Sequence, residues 1–154
     1  MTRIVLDANA VIMHGRAFPK RVRARTHQDD QIILPEAVKQ ELVDDVLDAD
    51  DAPDNHRRSA QAIQTLIEDG YLIVRTPNFE AYGDVVAEAR RRIADDSLPE
   101  HAVKADQYIP ALVCEVAEEE PVCLVTADKK LRRIVRDVTE RRDLYGNVSI
   151  ADPR

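Results

Sequence analysis

Residues 4–12 read IVLDANAVI, in which a short apolar run ends at an acid and a helical pattern follows. The run 4–6 predicts a buried strand, because β-branched and large aliphatic residues favour that structure. Asp7 can cap a helix that begins at Ala8. The same carboxylate lies at the carboxyl end of the strand, where open α/β sheets gather their ligands. This stretch therefore predicts both an α/β fold and a candidate site residue.

The rest of the chain alternates the same two patterns. Short β-branched runs predict five strands, at 3–6, 31–34, 71–75, 122–125 and 148–150. Helical spacing between them predicts helices that start at Pro35, run from Ser59 to Gly70, start at Asn78, pass through Ile109 and pass through Leu131. Such alternation favours a three-layer α/β/α fold, in which helices cover both faces of a parallel sheet.

Length and composition fit a single domain over residues 1–154. Aromatic residues make up only 4% of the chain and Trp is absent, so aliphatic side chains must fill the core. Cys114 and Cys123 lack the spacing of a metal site, which favours buried, reduced thiols. The chain shows no secretion leader and no apolar run long enough to span a membrane, so we expect a cytoplasmic protein.

Charge is unevenly distributed along the chain. The formal net charge of −7 argues against a protein that coats nucleic acid through a basic surface. Acids concentrate in one stretch, at Asp44, Asp45, Asp48, Asp50, Asp51 and Asp54. Cations concentrate in another, at Arg16, Lys20, Arg21, Arg23 and Arg25. We expect flexible segments at 15–30, 48–57 and 95–101, and an acidic surface suited to a salt-rich cytoplasm.

Four acids follow predicted strands or lie early in predicted helices: Asp7, Glu41, Asp106 and Asp128. Like charges that are brought together raise one another's pKa unless a cation lies between them, so the set predicts a site for a hard metal ion. Structural interpretations exist beside this one. Asp7, Asp106 and Asp128 can be helix caps, and Glu41 can be surface charge. Asp45 competes with Glu41, because it lies nearer the apolar stripe of the same helix.

Pro110 restricts the backbone around Asp106. Proline lacks an N–H and clashes with the preceding turn of a helix. A helix that is already running at Asp106 must therefore kink before Pro110, or the helix must begin close to Asp106. The direction in which the Asp106 carboxylate points is therefore less certain from the sequence than that of Asp7, which directly follows a predicted strand.

Four segments, taken in order, resemble the PIN-domain family of metal-dependent ribonucleases, which includes the toxins of many prokaryotic toxin–antitoxin pairs. The matching segments are IVLDANAVI (4–12), ILPEAVKQEL (33–42), ADQYIPALV (105–113) and LVTADKKLRRI (124–134). Each motif is short, and it is their order and spacing over nearly the whole chain that carries the resemblance.

The resemblance implies a fold, residue roles and partners. The implied sheet has five strands, mainly parallel, in the order 3-2-1-4-5. Catalysis and metal ligation are implied for Asp7, Glu41, Asp106 and Asp128, with polar support from Asn9 and Thr126. The implied substrate is RNA. The sequence leaves three kinds of partner open: an antitoxin, another protein or a second copy of the chain.

The predicted chemistry is hydrolysis of phosphodiester bonds. Carboxylate sites with open positions suit Mg²⁺ or Mn²⁺, which keep several waters for a substrate phosphate to replace. The cations at 16–25 can steer an RNA backbone towards an acidic pocket, although basic helices are also commonly just solvated faces. With two Phe and four Tyr, we expect little base-specific readout by stacking.

Two other functions stay open from the sequence alone. The first is an inactive RNA- or protein-binding module that has kept the fold and does not need the acids. The second is a haloacid-dehalogenase-like phosphatase, because residues 7–11 (DANAV) loosely match its D-x-D-x-V nucleophile loop. Asn9 stands where that loop has its second acid, and the chain has no room for a helical cap domain.

Overall fold

The computed structural model describes residues 2–94 and 105–153. Within them, five short strands form one sheet: β1 (Arg3–Leu6), β2 (Gln31–Pro35), β3 (Leu72–Arg75), β4 (Val122–Val125) and β5 (Val148–Ala151). All five strand predictions are confirmed to within one residue at either end. The β-branched runs therefore located the sheet correctly.

The strands lie in the order β3-β2-β1-β4-β5, and every neighbouring pair is parallel. This confirms the order 3-2-1-4-5 that the resemblance implied. β1 lies at the centre, and Leu6 at its end is in register with Val125 at the end of β4. Asp7 and Thr126 therefore leave the sheet side by side at its carboxyl edge.

Helices connect the strands on both sides of the sheet. They are α1 (Ala8–His14), α2 (Phe18–His27), α3 (Glu36–Lys39), α4 (Asp45–Asp48), α5 (Asp54–Glu68), α6 (Phe79–Ala94), α7 (Ile109–Glu119) and α8 (Lys129–Arg141). A π-helical turn (Gln40–Asp44) joins α3 to α4 without a break. Among the residues that the structure describes, no helix combines the length and apolarity needed to cross a bilayer.

The sheet separates two apolar layers, because successive side chains of a strand point to opposite faces. Leu6 and Leu34 pack on one face with residues of α1, α2 and α5. Val5, Ile33 and Leu124 pack on the other face with residues of α7 and α8. The buried side chains are mostly aliphatic, as the composition predicted. This arrangement confirms the three-layer α/β/α fold.

Several helix signals in the sequence are confirmed. Gly70 follows α5 with a φ of 83°, the left-handed conformation that glycine adopts without steric strain. Asn78 caps α6, and its Oδ1 accepts the backbone N–H of Glu80 at 2.9 Å. Pro110 lies in the first turn of α7, where its missing N–H leaves no bond unmade. A turn between Asp106 and α7 supplies the interruption that Pro110 required.

Three boundary predictions need correction. The segment 15–30 is not a loop, because α2 occupies most of it. α5 begins at Asp54 and not at Ser59, directly after Pro53 has ended the preceding loop. The gap between α4 and α5 is consequently shorter than the predicted flexible segment 48–57. The predicted flexible segment 95–101 lies wholly between the two described ranges, outside the part of the chain that the structure describes.

Candidate functional site

Asp7 lies at the junction of β1 and α1, and only 2% of its surface is exposed. Its Oδ1 accepts the backbone N–H of Ala10 at 2.8 Å, so Asp7 is the N-cap of α1. Its Oδ2 accepts a hydrogen bond from the Thr126 hydroxyl. Burial raises the pKa of Asp7, the two hydrogen bonds oppose that rise, and the charge of Asp128 adds to it. Burial prevails, and the carboxylate is harder to ionise than an exposed one.

Thr126 connects the two acids that follow β1 and β4. It is fully buried, and its backbone N–H donates to the carbonyl of Ala151 on β5 at 3.0 Å. Its hydroxyl donates to Asp7 and accepts the backbone N–H of Asp128 at 3.1 Å. One hydroxyl therefore fixes Asp7 relative to the backbone that carries Asp128.

Asp128 is the N-cap of α8 and is partly buried. Its Oδ1 accepts the backbone N–H groups of Lys130 at 2.9 Å and Leu131 at 3.1 Å. Within the described ranges, no donor forms a hydrogen bond with the other oxygen, Oδ2. The structural interpretation and the site interpretation are therefore compatible, because the cap occupies one oxygen and leaves the second for a ligand.

Asp106 is partly buried and lies just before the turn that precedes α7. Burial, followed by the charges of Asp7, Asp128 and Glu41, raises its pKa to about 7. The charges of the other three predicted acids therefore all reach Asp106. Asp106 is the member of the set that is half protonated near neutral pH.

Glu41 reaches this set from the π-helical turn between α3 and α4. The alternative acid, Asp45, is exposed and accepts a hydrogen bond from the Gln40 side chain at 3.1 Å. Glu41, and not Asp45, is among the charges that raise the pKa of Asp106. A π-helical turn adds a residue to the turn and so changes which side chain faces the sheet edge.

Asp7 and Asp128 lie at the carboxyl edge of the sheet, and their charges and that of Glu41 reach Asp106; these four residues are called the acidic cluster below. For Asp7, Asp106 and Asp128, no ion pair with Lys or Arg occurs within residues 2–94 and 105–153. Their charge is therefore not neutralised by an arginine or lysine of those ranges. Carboxylates in this state favour a bound cation.

The donor set fits a hydrated Mg²⁺ or Mn²⁺ ion. All four candidate ligands present oxygen, which these ions prefer. Among the described residues, no group of three or more His, Cys, Asp or Glu side chains is placed so that it could hold an ion by itself. Mg²⁺ commonly keeps several waters, so Asp7, Glu41, Asp106 and Asp128 would hold such an ion partly through water. The geometry differs from a closed cage of protein ligands.

Asn9 lies in the first turn of α1, with its side chain exposed. Within the described part of the chain, its side chain forms no hydrogen bond. The supporting role that the resemblance implied for Asn9 stays a prediction. Thr126, the other residue of that pair, has direct contacts with the acids.

Two of the five predicted steering cations lie away from the acids. The Arg23 guanidinium lies over the ring of Tyr71, 5.6 Å from its centroid. Arg25 forms an ion pair with Asp30 at 3.5 Å. Tyr71 and Asp30 directly precede β3 and β2, so both contacts lie at the amino edge of the sheet. Arg23 and Arg25 are therefore poorly placed to guide a substrate to the carboxyl edge.

The other three steering cations lie nearer the start of α2. Arg16 occupies the short 3₁₀ turn between α1 and α2, and Lys20 and Arg21 lie in the first turn of α2; all three are exposed. Nη1 of Arg21 lies 3.0 Å from Nδ1 of His14. Burial and the charge of Arg21 lower the pKa of His14, so its ring is neutral at pH 7. These three cations stay candidates for contact with an RNA backbone.

Arg132 is a positioning residue that the sequence did not single out from its basic neighbours. Its guanidinium donates to the carbonyl of Thr126 from Nε at 3.1 Å and from Nη2 at 2.7 Å. It also pairs with Asp152 at 3.6 Å. The only signal in the sequence was its place four residues after the cap Asp128, which brings its side chain back over the start of α8.

A model of the halobacterial PIN-domain family matches residues 1–153. The chain belongs to this family. The match spans every strand of this PIN domain and all four acids, which confirms the resemblance seen in the sequence motifs. It also removes the support for a phosphatase interpretation of residues 7–11. No curated protein matches the chain.

Two solved structures resemble this PIN domain along nearly their whole length. VapBC-1 from nontypeable Haemophilus influenzae matches with a TM-score of 0.54 and 17% identity, over 98% of this chain and 98% of that chain. VapBC2 from Rickettsia felis, bound to a DNA fragment from their promoter, matches with a TM-score of 0.54 and 14% identity, over 97% and 98%. At these identities the likeness shows a shared fold alone.

Proposed function

We propose that this PIN domain is a divalent-metal-dependent endoribonuclease, in which residues 1–154 act as one domain that hydrolyses RNA phosphodiester bonds. The observation that carries the proposal is that Asp7 and Asp128 follow the neighbouring strands β1 and β4 and share Thr126, while their charges and that of Glu41 reach Asp106. Unrelieved repulsion of this kind destabilises the folded protein unless a cation binds. Membership of the PIN family supports the same chemistry.

The chain's own residues would divide the work. Mg²⁺ or Mn²⁺ would be held by Asp7, Glu41, Asp106 and Asp128. When bound, such an ion polarises a phosphoryl oxygen and lowers the pKa of an attacking water. Thr126 keeps Asp7 and the Asp128 backbone in a fixed relation. Asp106 releases its proton as the site fills, because only its ionised form is a good ligand.

An acidic site also needs positive charge nearby to attract RNA. Arg16, Lys20 and Arg21 on one side, and the exposed Lys129 and Arg133 at the start of α8, offer such charge. They would contact phosphates without reading sequence. A cytoplasmic location, where RNA substrates are abundant, stays the prediction from the sequence.

We also propose that the protein acts as a toxin restrained by an antitoxin or another protein partner. The PIN-domain family includes such toxins, and the two structural neighbours are VapBC proteins. Ile12 and Met13 on α1 have 60% and 46% of their surfaces exposed. Adjacent apolar side chains of this kind suit burial against a protein, either that partner or a second copy of the chain.

Substitution of one central acid tests the catalytic proposal. With Mn²⁺ and a mixture of structured and single-stranded RNA, Asp7→Asn is expected to lower the cleavage rate at least about 100-fold. The amide keeps the size of the side chain but loses the charge. Cleavage is followed by gel analysis of end-labelled RNA, and circular dichroism confirms that the fold is kept.

A matched pair on one helical segment provides the control. Glu41→Gln is expected to reduce cleavage, whereas Asp48→Asn, at the exposed end of α4, is expected to leave the rate within about two-fold, because surface changes away from a site have little effect. Equal cleavage by wild type, Asp7→Asn and Glu41→Gln would show that the activity is a contaminant or that the site lies elsewhere.

A second candidate function is an inactive RNA-binding module. It is the alternative that the sequence leaves open, and it has no need of a metal ion at the four acids. A thermal-shift titration with Mn²⁺ separates the two functions. The nuclease is stabilised by Mn²⁺, and this effect is lost in Asp7→Asn and Asp128→Asn. The inactive module shows no such stabilisation.

A further inference from the structure

A cleft of about 250 Å³ lies at the carboxyl edge of the sheet, and the proposed catalysis makes no use of it. It opens between the start of α3 and the loop that follows β3. Its lining includes Glu36, Gln40, Thr76, Pro77, Phe79 and Tyr108. Its volume is just below the usual range for ligand pockets, which suits one flat ring better than a long segment.

Residues that line the cleft are close in sequence to residues of the proposed active site. Gln40 directly precedes Glu41 in the π-helical turn, and Tyr108 follows Asp106 by two residues. Glu36 and Thr76 directly follow β2 and β3, so the cleft lies at the same carboxyl edge as the acids. An RNA strand with a phosphate at the acids would therefore place a neighbouring nucleotide over this cleft.

The aromatic side of the cleft suits a base. Phe79 has 52% of its surface exposed, although Phe is usually buried. Tyr108 meets it edge-on, with ring centroids 5.6 Å apart and planes at 75°, and this contact orients the Phe79 ring. An exposed, oriented ring next to a phosphate site is the usual platform on which single-stranded RNA stacks a base.

The polar side of the cleft presents acceptors. The Glu36 carboxylate accepts a hydrogen bond from the Thr76 hydroxyl, which holds it in place and leaves it further acceptor capacity. The Gln40 amide donates to Asp45 at 3.1 Å, so its carbonyl oxygen is the atom that can face a ligand. A ligand that matches these groups must bring donors.

Among the four RNA bases, guanine matches this acceptor pattern. Its Watson–Crick edge presents N1–H and N2–H₂ side by side, which can meet the two oxygens of one carboxylate. Adenine and cytosine place an acceptor nitrogen beside their amino group, and uracil flanks its N–H with carbonyls, so each would bring an acceptor against Glu36. Acceptors that face one another form no hydrogen bond and repel, so these three bases match the cleft less well.

We propose that this cleft binds a guanine base of the RNA strand next to the cleaved phosphate, with the base stacked on Phe79 and its donor edge on Glu36. The proposal rests on the proposed nuclease function for the identity of the strand. It departs from the prediction that this protein has little base-specific readout by stacking. That prediction rested on the number of aromatic residues and could not show where one of them is exposed.

Binding without metal tests the cleft independently of catalysis. Fluorescence anisotropy is measured with labelled uridine-rich pentaribonucleotides that carry one central guanosine, inosine or adenosine, in EDTA and low salt. Wild type is expected to bind the guanosine strand at least about five-fold more tightly than the adenosine strand. Inosine lacks the N2 amine and is expected to fall between them.

Two substitutions locate the effect, and one provides a matched control. Phe79→Ala is expected to weaken binding of the guanosine strand about ten-fold, and Phe79→Tyr to keep it, because the ring supplies the stacking. Glu36→Gln is expected to abolish the preference for guanosine over adenosine, since an amide offers one donor and one acceptor. Tyr145→Ala removes an aromatic side chain with 42% exposure that precedes β5, at the opposite edge of the sheet, and is expected to change nothing.

The outcomes separate this proposal from the nuclease proposal. Suppose that Asp7→Asn abolishes cleavage, but that Phe79→Ala binds the guanosine strand as tightly as Tyr145→Ala does. The base-binding proposal is then wrong and the nuclease proposal stands. The same holds if wild type binds the guanosine and adenosine strands equally. If Phe79 and Glu36 govern guanosine binding while cleavage is absent, the cleft stands and the catalytic proposal fails. Phe79→Leu keeps the apolar volume without the ring, so loss of binding in a folded Phe79→Leu protein supports stacking.

Discussion

At the residue scale, Asp7 and Asp128 each combine a structural contact with a free charge. Both are N-caps, and in both the cap is made through Oδ1. Capping fixes the orientation of a carboxylate, because the backbone N–H groups of the first helical turn converge on one oxygen. The cap through one oxygen therefore also fixes the direction of the second oxygen of the same carboxylate. Structural and catalytic interpretations of such an acid need not compete.

Asp106 makes the stability of the metal-free protein depend on pH. Its pKa is about 7 in the folded protein and is expected near the ordinary value of 3.8 in the unfolded chain. Folding therefore takes up a proton between these values. The contribution of Asp106 to stability is complete below about pH 4 and is lost as the pH rises through about 7. We expect urea unfolding in EDTA to show lower stability at pH 8 than at pH 5.

The variant Asp106→Asn isolates this contribution from other titrating groups. It cannot ionise, so its stability is expected to change less between pH 5 and pH 8 than that of wild type. At pH 8, added Mn²⁺ is expected to raise the stability of the wild-type protein and to raise that of the variant less. Parallel pH curves for the two proteins would contradict the raised pKa.

At the element scale, α2 shows why a helix can escape prediction. It buries only Phe18 and Val22, and charged or polar residues fill most of its remaining positions. Hydrophobic periodicity is weak when one turn alone touches the core. Pro19, in the first turn, was the available signal, because proline is common there. The many cations of this segment indicate a charged surface, and its two buried apolar residues give only a weak helical pattern.

Arg132 joins two elements, since it lies on α8 and holds the backbone that follows β4. Arg132→Ala is expected to lower the free energy of unfolding by about 1–2 kcal/mol, because the Thr126 carbonyl loses both donors. Thr126 then holds Asp7 and Asp128 less firmly, so we expect Mn²⁺ to bind about ten-fold more weakly in a thermal-shift titration. Arg132→Lys keeps the charge but not the two-pronged contact, and is expected to recover only part of either loss.

Arg136, also on α8, provides the control for this substitution. It is exposed, and its side chain forms no ion pair within the described residues. Arg136→Ala makes the same change in charge on the same helix, and it is expected to shift stability by less than about 0.5 kcal/mol. If Arg132→Ala weakened Mn²⁺ binding no more than Arg136→Ala, Arg132 would have no positioning role.

At the scale of the whole molecule, the acidic surface opposes the compact state. The formal net charge is −7, and Asp48, Asp50 and Asp51 lie exposed at the end of α4 and in the loop after it. Ion pairs offset part of this charge, for example Arg141 with Glu88 at 2.6 Å. Solvent screens such exposed pairs, so we expect them to offset only a small part of the repulsion among the acids.

Added KCl is therefore expected to stabilise the protein, because it screens this repulsion more than it weakens the ion pairs. Tm is expected to rise between 0.1 M and 2 M KCl, by about 2–4 °C for each kcal/mol gained. The triple variant Asp48→Asn, Asp50→Asn, Asp51→Asn is expected to show a smaller rise. A control variant neutralises three acids that lie apart in the sequence, Asp69, Glu80 and Glu140. It changes the net charge by the same amount as the triple variant, and it is expected to reduce the rise in Tm less. A flat or falling Tm in wild type would contradict the role of surface repulsion.

The sequence by itself determined the strands, most helices and, through family resemblance, the sheet order, and it predicted the four acids as a candidate set. These are local signals, because hydrophobic period, β-branching and short motifs depend on neighbours along the chain. Only the tertiary structure decided that Thr126 bonds to Asp7, that Glu41 rather than Asp45 acts on Asp106, and that Phe79 is exposed beside the acids. Burial and charge coupling depend on distances between segments far apart in sequence, and these distances are set when the sheet assembles.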